Sequence, residues 1–342
     1  MCQLFPRRES PLEKAMENPI VAAMQTKTLK SDLLLLLAAF FWGTTFVAQR
    51  LAMQHLGPMT YNALRFAVGA LTLVLVILMV RTKHGTDPVG CALHTNKQGP
   101  KRWCAMHTLP LWGGILAGLA LFGGASMQQT GLIYTTVGKA SFITSLYVVL
   151  VPIAGLFLGQ RCGWAVWLGA GLAVAGLYLL SITGSFTIAR GDLFILIGAF
   201  FWTIHVLLIG YLAQRANPLH IACIQFVACS ILSLLAAVLF EPLALSGIRA
   251  AALAILYAGI FSAGVAFTLQ IIGQRTSPPA HASIVMSLET VFAALSGYLI
   301  LDERFTPRDL AGCVLMFAGL IVVQLPLLLA PNSQQGKASP EP

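Results

Sequence analysis

Ten apolar stretches divide this chain, at residues 32–53, 59–80, 109–129, 137–158, 164–183, 192–213, 219–240, 250–271, 280–301 and 309–329. A helix needs about 20 predominantly apolar residues to cross the hydrocarbon core of a bilayer. Each stretch meets or approaches that length, so the pattern predicts ten transmembrane helices. Short connections carry helix-breaking residues: Gly57-Pro58, Gly184, Asn217-Pro218, Pro278-Pro279 and Pro307. One connection differs. Residues 81–108 are polar, basic and contain Gly and Pro, which reads as a loop outside the membrane.

Composition agrees with this pattern. Of 342 residues, 57% are hydrophobic and 10% charged, with a mean hydropathy of +0.81. A soluble domain spends about a quarter of its residues on charge, so most of this surface faces something other than water. The formal net charge of +9 raises nucleic acid as a partner, but the charge is gathered beside apolar runs, so no nucleic-acid partner is expected. Lys and Arg are retained on the cytoplasmic side of membrane helices. With the N-terminus inside, inner segments hold 14 of them and outer segments 6, and Arg65 lies within a helix. Both termini are therefore expected in the cytoplasm, and the multi-pass pattern with short loops suggests a cell inner membrane. Seven scattered cysteines with no C-x-x-C pair imply neither a disulfide framework nor a metal site.

The chain also repeats itself. Asp32-Leu33 and Ala39-Phe40-Phe41-Trp42 return 160 positions later as Asp192-Leu193 and Ala199-Phe200-Phe201-Trp202, and Pro58 and Phe66 return as Pro218 and Phe226. Further on the offset is 142. It aligns Gln128 with Gln270, Gly131 with Gly273, Ala140-Ser141 with Ala282-Ser283, and Ser145-Leu146 with Ser287-Leu288. The 18-residue difference fits the basic loop of the first half. Five helices per half, an odd number, put the second half into the membrane from the opposite side, as in many secondary transporters. The expected organisation is a polar cytoplasmic tail over 1–31, a first repeat over 32–183 carrying loop 81–108, a second repeat over 192–329, and a polar tail over 330–342.

Several segments carry a family resemblance: Phe41-Trp42-Gly43-Thr44-Thr45-Phe46, Pro58 with Arg65-Phe66, Ala282-Ser283 through Leu288-Glu289, and Leu301-Asp302-Glu303-Arg304 followed by Ala311-Gly312 to Gly319. Their order and spacing over 31–329 resemble the EamA-type transporters of the drug/metabolite transporter superfamily. The resemblance implies ten helices in two five-helix repeats, a substrate cavity between the halves, and export or exchange of small polar metabolites, often amino acids. This chain departs from the family pattern at two places. The usual proline after the membrane glutamate is Thr290, the first half having its nearest proline at Pro152, and the acidic loop residue of the first half is replaced by Gln160-Arg161.

Ionisable groups at membrane depth are costly and so mark candidate sites. Glu289 lies near the middle of the ninth stretch, where it is a candidate proton carrier, a counter-charge for a substrate amine, or a permanent structural partner of Arg65. Arg65 in the second stretch either snorkels to the interface or binds a substrate carboxylate; its repeat counterpart is Gln225. Trp42, Thr45 and Gln49 share one helical face, matched in the repeat by Trp202, His205 and Ile209, and these faces are expected to wall the cavity. Tyr147, Ser145, Ser287, Gln128 and Gln270 divide evenly between packing and binding. The expected substrate-binding set is thus Trp42, Thr45, Arg65, Tyr147, Trp202, His205, Gln225 and Glu289, with Glu289 also the proton-coupling residue.

These features predict a secondary transporter moving an amino acid or similar small polar metabolite, exporting it by alternating access, with no cofactor and no metal. Its partners are the lipid bilayer and a small-molecule substrate, and a homodimer is open to it. A non-transporting scaffold or receptor is the alternative. An intramembrane enzyme ranks below it, because no nucleophile–base set or metal-ligand spacing lies at helix depth.

Overall fold

The computed structural model describes residues 19–83, 100–135, 137–181, 190–301 and 306–329. Every regular element among them is helical. In chain order these are α1 (Pro19–Ala52), α2 (Pro58–Lys83), α3 (Pro100–Leu132), α4 (Val137–Ser145), α5 (Tyr147–Phe157), α6 (Trp164–Ser181) and α7 (Arg190–Ala213). Then come α8 (Pro218–Phe240), α9 (Leu245–Ala250), α10 (Ala252–Tyr257), a π-helical segment (Ala258–Phe267), α11 (Thr268–Gly273), α12 (Pro279–Met286), α13 (Glu289–Leu301) and α14 (Pro307–Leu329). Nine of the resulting helical rods are long and apolar enough to cross a membrane, and Trp164–Leu179 is a shorter apolar helix. Leu71, Leu75, Met79, Leu235 and Val238 are all exposed on the outside of the bundle. A continuous apolar exterior of this kind requires lipid around it.

Two regions differ from the sequence expectation, the N-terminal tail and the basic loop. Helix α1 begins at Pro19, inside the stretch read as a polar tail, and Ser31 is buried, donating from Oγ to the Gly273 carbonyl at 2.6 Å. Helices α2 and α3 also reach into the basic loop, to Lys83 and from Pro100. Polar residues lengthen a helix readily once an apolar turn has nucleated it, so hydropathy alone underestimates both ends. Residues 1–18, 84–99 and 330–342 lie outside the described residues.

The helix ends are set by local chemistry. Asn217 accepts from the Leu219 amide at 2.9 Å and Pro218 follows as the first residue of α8, as expected for an N-cap and a proline with no donor to lose. Thr306 and Asp309 cap α14 reciprocally. The cap of α2 comes from far along the chain. The Glu241 carboxylate accepts from the amides of Met59 and Thr60 at 2.7 and 2.8 Å and from Thr60 Oγ1 at 2.7 Å. A carboxylate there satisfies orphan donors and complements the positive end of the helix dipole.

The fourth and ninth apolar stretches fill the centre of the bundle, and both are broken. Between α4 and α5, and again between α12 and α13, the backbone closes three-residue hydrogen bonds: Leu146 N to Ile143 O, Leu288 N to Val285 O and Thr290 N to Ser287 O. Tight turns inside a helix commonly mark a functional hinge. Neither break has a proline in it. The two fall at Leu146 and Leu288, positions 142 apart. Around them, α1 packs on α13 and the π segment, α2 on α8, α3 on α7 and α6 on α14. Glycine sets the closest approaches. A Cβ at Gly43 would stand 2.5 Å from the Glu289 carbonyl oxygen, so α1 can touch the second break only without a side chain there.

Candidate functional site: a polar chamber at the paired helix breaks

A chamber lies beside the two breaks. Its walls come from α1 (Trp42, Phe46, Gln49), α2 (Arg65), α3 (Gln128), α4 and α5 (Thr144, Tyr147), and α7 (Trp202, His205, Val206). The π segment adds Ser262 and Phe267, α11 adds Gln270, and the second break adds Met286 and Glu289.

The aromatic side is layered. Phe267 meets Trp42 edge-on at 4.9 Å, stacks against Trp202 at 6.1 Å and meets His205 edge-on at 5.7 Å. Trp42 Nε1 donates to the Ser262 carbonyl at 3.3 Å. His205 Nε2 hydrogen-bonds Gln225 Oε1 at 2.9 Å, which fixes the ring and turns Nδ1 away from that contact.

On the opposite side, the carboxylate of Glu289 receives hydrogen bonds from Ser145 Oγ and Tyr147 Oη, both at 3.3 Å. Ser145 Oγ also pairs with Thr290 Oγ1 at 2.8 Å, and Thr290 reaches the Ser141 carbonyl. The residue that departs from the family pattern therefore stitches one break to the other. Arg65 is only 3% exposed, and its guanidinium carbon lies 4.6 Å from the centre of the Phe66 ring and 5.5 Å from that of Tyr61. Cation–π contact of this kind favours a desolvated guanidinium. No ion pair joins Arg65 to Glu289 among the described residues. Burial of Arg65 also rules out snorkelling to the interface.

Several buried polar atoms around the chamber make no hydrogen bond among the described residues: Gln49 Oε1, Arg65 Nε, Thr144 Oγ1, Trp202 Nε1, His205 Nδ1 and Gln270 Oε1. Buried polar groups without partners cost about 1–3 kcal/mol each. Six of them concentrated on one chamber wall set is what a site built to bind polar matter requires.

Of the eight residues expected to bind substrate, Trp42, Arg65, Tyr147, Trp202, His205 and Glu289 line the chamber, whereas Thr45 and Gln225 do not. Thr45 is fully buried, and its hydroxyl donates to the Phe41 carbonyl of its own helix at 2.6 Å. Gln225 stands behind His205 as its partner. Ser287 likewise bonds its own backbone, at Ile284 O. Phe46, Thr144, Val206, Ser262, Phe267 and Met286 escaped the sequence reading. Phe46 and Val206 could have been found, since they lie one turn beyond Trp42 and Trp202 on the same face; Ser262 and Phe267 carry no repeat signal. No group of three or more metal-ligating side chains is present among the described residues.

A helical bundle of bilayer length with a chamber at paired helix breaks has the architecture of a polytopic membrane transporter. The profile of the EamA-like transporter family matches residues 29–182 and 189–325, and the chain belongs to that family. It is 30% identical over 308 residues to an uncharacterized transporter of Archaeoglobus fulgidus, with 87% of each chain covered. It is 26% identical over 316 residues to the uncharacterized transporter YwfM of Bacillus subtilis, covering 89% of this chain and 95% of that one. A solved crystal structure 20% identical to it superposes with a TM-score of 0.66, covering 86% of this chain and 96% of the other, a likeness of fold.

Proposed function

We propose that this protein is a secondary transporter that exports a small zwitterionic metabolite, an amino acid or a close analogue, across the inner membrane by alternating access. The carrying observation is that one chamber presents a buried cation, Arg65, and a buried carboxyl, Glu289, on different walls with no ion pair between them among the described residues. Arg65 and Trp202 Nε1 supply donors for a carboxylate, and Glu289 with the aromatic faces supplies the counterpart for an amine. Glu289 is also the group that exchanges a proton with the cycle, held by Ser145 and Tyr147 at the hinge between the halves.

Ten spans in two inverted five-helix repeats, both termini cytoplasmic, provide the framework for this cycle. Support comes from the repeat offsets and from the two breaks at related positions, together with a shorter apolar helix at Trp164–Leu179 beside the nine long ones.

The test is uptake of radiolabelled amino acids into proteoliposomes with and without an imposed pH gradient, wild type beside Glu289→Gln. Gradient-driven accumulation that disappears in Glu289→Gln is the expected result. Exchange that ignores both gradient and substitution would replace proton coupling by facilitated exchange. Failure of the wild type to move any amino acid while retaining its fold would favour a scaffold.

A further inference from the structure

On the chamber wall made by α11, one buried amide has its nitrogen engaged and its oxygen bare. Gln270 lines the chamber and is only 1% exposed. Its Nε2 donates to Gln274 Oε1 at 3.1 Å, while its Oε1 has no partner among the described residues. Gln274, the residue that follows α11, is fully buried and is not part of the chamber lining. From its own Nε2 it donates to the Val206 carbonyl of α7 at 3.1 Å.

The two ends of a glutamine amide are told apart by what they meet. Here the chain of contacts ends on a backbone carbonyl, which only accepts. Gln274 must therefore turn Nε2 to Val206 and Oε1 to Gln270. Gln270 must then turn Nε2 to Gln274, which leaves its carbonyl oxygen for the chamber. The Gln274 amide also bonds the Gln270 carbonyl of the main chain at 2.8 Å, so one helical turn holds the two side chains next to each other. One backbone acceptor thus fixes the polarity of a wall that either end of a glutamine could have formed.

Packing alone does not call for this arrangement. At the related position 142 residues earlier, Leu132 stands where Gln274 stands, fully buried in an apolar cluster with Phe46, the counterpart of Val206. The first half therefore lines the chamber with a glutamine, Gln128, without this relay behind it. A pair of glutamines serving only to tie α11 to α7 has no reason to leave a buried carbonyl bare.

We propose that Gln270 Oε1 is a selectivity contact, accepting a hydrogen bond from a hydroxyl or carboxamide on the substrate's side chain, and that Gln274 is the positioning residue that holds this acceptor in place. The inference rests on the reading of the ligand as an amino acid. In that reading Arg65 of α2 takes the carboxylate and Glu289 at the second break takes the amine. Gln270 comes from a third wall and carries no charge, so it meets the third arm of the ligand. A buried acceptor left unpaired by an apolar side chain rejects that side chain, whereas an apolar wall discriminates weakly against an added hydroxyl. The substrate class narrows to polar, uncharged amino acids.

The test measures kcat/KM for uptake into proteoliposomes, with radiolabelled amino acids in pairs of similar size: threonine with valine, asparagine with leucine, glutamine with methionine. Wild type should favour the hydrogen-bonding member of at least one pair by about 10- to 100-fold. Gln270→Met, close in shape but without the amide, should bring that ratio near one, and Gln270→Leu repeats the measurement if the thioether disturbs folding. Gln274→Leu, the residue that the first half carries, should lower the ratio by less, because the released Gln270 amide then presents either end. A purely structural Gln274 would instead lower both members of a pair together and leave the ratio unchanged. That result overturns the proposal, as does a wild type without preference in any pair or a preference that survives loss of the Gln270 amide; in each case transport itself upholds the amino-acid reading. Wild type that moves none of the six strikes that reading and this inference together.

Discussion

The two halves of the chain build the chamber with the same neutral parts and opposite charged ones. Trp42 and Trp202, Gln128 and Gln270, and Phe46 and Val206 are related by the repeat and all face the chamber. Charge breaks the match. Arg65 in the first half has uncharged Gln225 as its counterpart, and Glu289 in the second half has Tyr147, 142 positions earlier. Tyr147 and Glu289 hydrogen-bond each other, so equivalent residues of the two breaks meet at the centre. On the proposed reading, the repeated frame would serve a cycle that opens both ways and the asymmetric charge would orient a ligand with two different ends.

That comparison can be broken most severely at Glu289. Glu289→Tyr should abolish gradient-driven transport, and adding Tyr147→Glu, which moves the carboxyl to the related position, should recover measurable activity. Continued inactivity of the double variant would show that the wall, as well as the charge, matters. Next, Arg65→Gln gives the first half the residue of the second; removing a charge-assisted contact of about 1.5–3 kcal/mol should weaken binding about 10- to 100-fold. Titration calorimetry should show that loss for a carboxylate substrate and little change for its amide.

Smaller effects sharpen the role of the frame. Gly43→Ala forces α1 off the second break and should destabilise by about 1–3 kcal/mol, read as a lower melting temperature in detergent. Thr290→Val removes the bond to Ser145 and should cost about 1 kcal/mol by the same measurement. Thr45→Val should change substrate affinity least of all, since its hydroxyl serves the Phe41 carbonyl and not the chamber.

The bundle was legible because hydropathy at this amplitude leaves few alternatives, and Glu289, Arg65 and both tryptophans stood out as costly or misplaced residues in apolar runs. The helix breaks were not legible. Neither contains a proline, and both depend on polar side chains, Ser145 and Thr290, that meet only in the folded bundle. Helical spacing placed Thr45 on the face of Trp42, but a threonine hydroxyl can turn back to its own backbone, and it does. The repeat pointed to Gln225 as a counterpart of Arg65 without revealing that His205 stands in front of it.

The π-helical stretch from Ala258 to Phe267 bears on how such a chamber diverges between lineages. A run of i→i+5 turns holds more residues than an α-helix of equal rise, and losing one residue lets it relax to ordinary i→i+4 bonding. A deletion in mid-membrane would then be tolerated, where deletions are usually ruinous. It would shift side chains within the segment around the helix axis, while the helix beyond it kept its register. Phe267, in contact with Trp42, Trp202 and His205, would swing out of the cavity while the rest of the bundle kept its place. Chain length in this one segment is therefore an inheritable dial on ligand preference, adjustable without a single substitution among the residues that touch the ligand.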